Sequence, residues 1–135
     1  MSTETGPAQT PKKSQSRSAA RLAAVQALYQ HTMEGTAAIK LIDEFHQHRL
    51  GREIEDVHYA DAEIDFFDDL VTGSLEKLQE IDAMIMSKLA DGWTVARLDK
   101  TMLQILRAGA YELMQRSDVP TGSAISEYVD VAKAF

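Results

Sequence analysis

The sequence contains no cysteine. That excludes disulfides, thiolate nucleophiles and cysteine-ligated metals, and is compatible with a reducing compartment. No apolar run approaches the roughly 18 residues of a membrane span, and the N-terminus has no apolar signal core. The expected location is the cytoplasm, with no membrane partner. Proline occurs three times, with Pro7 and Pro11 both in the first sixteen residues. Sustained apolar/polar alternation is absent, as is an Asn-Gly or Asp-Gly hairpin between β-branched runs, so no strand is expected. Positive charge is also scarce: 14 basic residues stand against 21 acidic ones, a net charge of −7. The deficit is uneven. Residues 1–21 carry Lys12, Lys13, Arg17 and Arg21 against Glu4, a net of +3, and the rest carries −10. A basic arm on an acidic body is the expected layout, with any nucleic-acid contact local to the arm.

What is present is helical periodicity. With 135 residues and 44% hydrophobic content, the chain is long enough for one folded core. Residues 1–16 are polar and read as a disordered tail. Leu22, Val25, Tyr29 and Met33 then follow helical spacing, with Ser14, Ser16 or Ser18 as cap and Gly35 as stop. Ile39, Ile42 and Phe45 mark a second helix, and residues 51–60 a polar connection. Asp61 can cap a third helix carrying Ile64, Phe67, Leu70, Val71, Leu75 and Leu78, with a break near Asp82. Gly73 inside that helix costs about 1 kcal/mol against alanine, which predicts a close helix contact. Asp91-Gly92-Trp93 is a turn with Thr94 as the next cap. Leu98, Met102, Ile105, Leu106, Ala110 and Leu113 form an amphipathic helix, and Ile125 to Phe135 a last one. The prediction is an all-α domain of six or seven helices.

Site chemistry is sparse. His46 and His48 are two apart and point to different helix faces, which suits solvation better than metal binding. Asp61, Glu63, Asp65, Asp68 and Asp69 fall in the first turns of a helix, where negative charge is favoured. Met84, Met86, Met102 and Met114 read as core filler. A phosphate loop, nucleophile elbow and dinucleotide fingerprint are all missing, so neither a cofactor nor an enzyme is expected. The arm breaks a local rule: cations at a helix N-terminus cost roughly 0.3–1 kcal/mol each. Lys13, Arg17 and Arg21 are spaced by four and share one stripe of a helix that reaches back so far. Phosphate binding and plain solvation account for that stripe equally well.

Three segments carry a resemblance: Ala24–Gln30 (AVQALYQ), Ile105–Pro120 (ILRAGAYELMQRSDVP) and Ala124–Phe135 (AISEYVDVAKAF). They resemble the NusB family of bacterial transcription antitermination factors, over about residues 17 to 135. The resemblance implies two three-helix subdomains packed at a large angle. It implies a non-enzymatic, cytoplasmic protein that binds the boxA element of ribosomal RNA transcripts. The implied partners are the small-subunit ribosomal protein NusE and the RNA polymerase antitermination complex. Arg17 and Arg21 match the family's basic arm, thinner here because Ser18 and Ala19 replace basic positions, with Lys12 and Lys13 able to compensate. Gln26 matches an RNA-proximal position, Tyr29 a partner-facing one, and Phe135, preceded by Lys133, an aromatic near RNA. Ser126 stands where the family usually has asparagine. The family pattern continues beyond Phe135 into a loop and a final helix, so the sequence is expected to be truncated at its C-terminus. The alternative is the RNA-recruiting domain of a ribosomal RNA cytosine methyltransferase whose catalytic domain lies elsewhere.

Overall fold

A computed structural model describes residues 13–48, 53–54, 57–58, 63–118 and 120–134. Six α-helices dominate: α1 (Lys13–Glu34), α2 (Ala38–His48), α3 (Ile64–Glu76), α4 (Leu78–Lys88), α5 (Lys100–Gln115) and α6 (Thr121–Ala134). A 3-10 turn (Val95–Arg97) precedes α5. Between α2 and α3 lies a minimal antiparallel ladder, β1 (Glu53–Ile54) with β2 (Val57–His58), pairing Glu53 with His58 and Ile54 with Val57. That ladder corrects the expectation of no strand. Two-residue strands are too short to show alternation, which is why the pattern search passes over them.

The all-α prediction holds, and its boundaries shift. Helix α1 begins at Lys13, so Ser14, Ser16 and Ser18 lie within it rather than capping it. It stops at Gly35, which takes φ +72° and donates its N–H to the His31 carbonyl at 2.9 Å. A left-handed φ is cheap for glycine and costs other residues about 1–2 kcal/mol. The α3–α4 break falls at Lys77 instead of Asp82. Helix α5 is capped by Asp99, whose Oδ2 accepts the Met102 N–H at 3.0 Å, while Thr94 heads only the 3-10 turn. Asp61, most of the 51–60 connection and the tail up to Lys12 lie outside the described residues.

Packing centres on α1, α3 and α5. Helices α1, α2 and α3 pack mutually, and α5 packs on α1, α3, α4 and α6. The buried face of α1 is built from small residues: Ala20, Ala23, Ala24, Val25, Ala27 and Leu28. Small side chains let neighbouring helix axes come close. Tyr29 and Met33, placed on the core stripe by spacing, are exposed, and so are Ile39, Ile64 and Leu113. Met86, Met102 and Met114 are exposed rather than core filler. Gly73 does sit at a close approach: a Cβ there would lie 2.2 Å from the Tyr111 ring, so at this point of the α3–α5 contact only a glycine fits.

Candidate nucleic-acid interface

The N-terminal half of α1 faces the start of α3 and the end of α5. Their meeting point is a ring of arginines around one phenylalanine. The guanidinium carbons of Arg17, Arg21 and Arg116 lie 4.8, 5.2 and 4.8 Å from the centroid of Phe66, which is itself buried. Each such contact is worth about 0.5–2 kcal/mol, more where water is excluded. Every one of these arginines is also held by carboxylates. Arg17 donates from Nε to Glu63 Oε2 at 3.1 Å and from Nη2 to Asp118 Oδ2 at 3.3 Å. Arg116 donates to Asp118 through Nε and Nη2, both at 2.9 Å, and from Nη1 to Asp69 Oδ2 at 2.9 Å. The bond to Arg116 holds the Asp118 carboxyl well below the usual carboxylate range.

Arg21 is the most deeply committed. It is 3% exposed and forms a fork onto Glu112, Nε to Oε1 at 3.0 Å and Nη2 to Oε2 at 2.7 Å. Tyr128 donates to the same Glu112 Oε1 at 2.9 Å. Glu127 accepts from Ser18 and stands 3.5 Å from Arg21 Nη1. Burial is the largest influence on Arg21 and disfavours its charged form, but the hydrogen bond to Glu112, the charge of Glu112 and the nearby Tyr128 and Glu127 together outweigh it, and its pKa is raised. The expectation that Arg21 is open to phosphate or solvent is corrected: it shares a stripe of α1 with Arg17, as the spacing of four predicts, but it lies in the third turn, where α5 and α6 cover it, and is an internal cation.

Arg17 belongs to this cluster; the other expected residues that the structure describes lie further along α1 and α6. Arg17 is half-buried, with a side chain 15% exposed. Gln26 is half-buried on α1, Tyr29 is 39% exposed one turn further on, and Lys133 is exposed near the end of α6. Lys13 opens α1, and its side chain lies outside the described residues, as do Lys12 and Phe135. Glu63, Phe66, Arg116 and Asp118 carry much of the cluster and were given no site role from sequence. A signal was present in Arg116-Ser-Asp118-Val-Pro120, where a cation and an anion two apart sit in a proline-closed turn.

His46 Nε2 donates to Asp68 Oδ1 at 2.6 Å, a half-buried pair that replaces the expected free solvation. Among the described residues no group of three metal-ligating side chains forms, and no helix is long and apolar enough to cross a membrane.

Comparison with known proteins follows the same outline. A chain in the solved structure described as "Crystal Structure of a Plectonemic RNA Supercoil" shares the fold, with a TM-score of 0.72 at 24% identity, over 88% of this chain and 80% of that one. "Transcription antitermination protein NusB" of Sphingopyxis alaskensis is 66% identical over 92% of this chain and 83% of its own length. The protein of the same name from Novosphingobium aromaticivorans is 65% identical over 88% and 80%. With the NusB family model matching residues 18–135, nearly the whole helical body described above, this chain belongs to the NusB family.

Proposed function

We propose that this protein is a cytoplasmic antitermination factor that binds boxA of ribosomal RNA transcripts together with NusE, within the RNA polymerase antitermination complex. The observation that carries this reading is the 66% identity to a protein named for transcription antitermination, spread over nine-tenths of the chain. The family is non-enzymatic, and no catalytic residue is assigned. The names of these relatives, both transcription antitermination proteins, favour this reading over the methyltransferase one.

In the proposed contact, Arg17 binds phosphate, with Lys12 and Lys13 extending the positive arm and Lys133 adding charge from α6. Gln26 and Phe135 read or stack unpaired bases, as single-stranded RNA recognition requires. Tyr29 presents a partly exposed ring to NusE. Arg21 organises the start of α1 from inside.

The test is titration of labelled boxA RNA, with and without NusE, at two salt concentrations. Arg17→Ala is expected to weaken binding and to flatten the salt slope by about 0.7, one phosphate contact on a single strand. An unchanged slope removes Arg17 from the interface. Failure of the wild-type chain to prefer boxA over a scrambled strand, with NusE present, overturns the reading itself.

A further inference from the structure

The carboxylates around Arg17 occupy the positions that phosphate oxygens would take. Glu63 meets the Nε and Nη2 edge of the guanidinium with both its oxygens, at 3.1 and 3.5 Å. That is the fork by which arginine takes a phosphate or a carboxylate. Glu63 is also the N-cap residue of α3, a position where a short side chain such as Asp, Asn or Ser accepts a backbone N–H. It makes no such bond and turns to Arg17 instead. Asp118 offers a further oxygen, but its two shorter bonds commit it to Arg116. Across the cluster, three guanidiniums face Glu63, Asp69, Glu112, Asp118 and Glu127, so the local charge is negative despite the arginines.

Resting on the RNA-binding reading, we infer that Glu63 is a built-in competitor for phosphate at Arg17, a specificity-determining residue that keeps the arm from weakly binding polyanions. An arriving phosphate must displace Glu63 before it gains the fork. A strand anchored elsewhere, through bases or through a bound partner, presents its phosphate at high effective concentration and displaces the carboxylate. A strand held by charge alone does not. Phe66 keeps the Arg17 guanidinium stacked throughout, so the exchange of one acceptor for the other needs little rearrangement of the arginine.

The experiment compares the wild-type chain with Glu63→Gln, Glu63→Asp, Arg17→Ala and the Glu63→Gln/Arg17→Ala pair. Each is titrated by fluorescence anisotropy with boxA RNA and with a scrambled strand of equal length, at two salt concentrations. Glu63→Gln is expected to tighten the scrambled strand by roughly two- to five-fold, the span of an exposed ion pair, and to steepen its slope by about 0.7. BoxA RNA is expected to gain less, so the preference for boxA narrows. The gain is expected to vanish in the Arg17→Ala background. Glu63→Asp retains the charge and is a good helix cap, but its shorter side chain withdraws from the fork. It should therefore tighten the scrambled strand as well, which a simple change in net charge would not produce.

Unchanged affinity and slope in both Glu63 variants overturn the inference, as does a gain that persists without Arg17. The wild-type preference for boxA is read separately in the same titrations. Its absence overturns the RNA reading, whereas its presence with unresponsive Glu63 variants overturns only the competitor.

Discussion

Arginines at the start of an acidic protein's first helix look misplaced until their partners are seen. Arg21 lies inside, with Glu112 fully buried beneath it and the Tyr128 hydroxyl completing the carboxylate's bonds. A buried pair of this kind contributes little against an apolar replacement, but removing one partner strands the other. Glu112→Ala is therefore expected to destabilise the protein by about 3–5 kcal/mol in urea unfolding. Arg21→Met combined with Glu112→Leu should cost less, because no fully buried charge is then left unpaired, although the Tyr128 hydroxyl loses its acceptor. A loss below about 1 kcal/mol for Glu112→Ala would mean that water reaches Arg21, and would restore it as a candidate RNA contact. Arg107 repeats the pattern on the other side of α5, with a fork onto Asp82 at 2.9 and 2.8 Å and a further bond to Thr32. Arg107 and Glu112, together with Gln104, are thus part of the buried face of α5.

That face explains which helices were legible before the structure. Helix α5 was found, but its core side includes Gln104, Arg107 and Glu112, which hydropathy assigns to solvent. Helix α1 was found from Leu22 and Val25, yet its true contact surface is a row of alanines. Alanine carries too little hydropathy to fix the phase of a helix, so spacing alone leaves Tyr29 and Met33 on one stripe with Leu22 and Val25 although both are exposed. Of the site, the sequence could show basic residues at the right spacing, but not that carboxylates from α3 and the α5–α6 turn close on them. Those partners are 46 and 101 residues away, and helix spacing informs only about neighbours three or four apart. Gly73 was the exception, since a costly residue in a helix interior announces a contact. Gly73→Ala is expected to destabilise by about 1–3 kcal/mol through overpacking, despite gaining about 1 kcal/mol of helix propensity. Thermal unfolding by circular dichroism measures the balance. A stabilised variant would show that Tyr111 can leave the α3–α5 contact without loss.

The molecule holds together through α5, and two tyrosines latch that helix to its neighbours. Tyr111 donates to Asp69 of α3 at 2.7 Å, and Tyr128 of α6 donates to Glu112 at 2.9 Å. Burial raises the pKa of both, and the adjacent carboxylates raise them further; Tyr111 is pushed up to about 12 from 10.0. A proton held more tightly in the folded chain than in the unfolded one makes stability fall as pH rises from the unfolded pKa to the folded one. Below pH 10 both states are protonated and the contribution is complete. It declines as pH rises from 10 to about 12, because the unfolded tyrosine ionises first. The chain already carries a net charge of −7, so each phenolate would add to self-repulsion and stand against a carboxylate that can no longer accept a bond. Stability is therefore expected to fall steeply across that interval, with α5 released from α3 and α6 in one cooperative step. Unfolding free energies from urea titrations, taken at pH values below and within the interval, measure the slope. Tyr111→Phe should start less stable, since Asp69 loses a donor, yet decline more gently, because one of the two titrating latches is gone. Parallel decline of wild-type and Tyr111→Phe would assign the alkaline loss to lysine deprotonation and general repulsion instead of to the latch between α3 and α5.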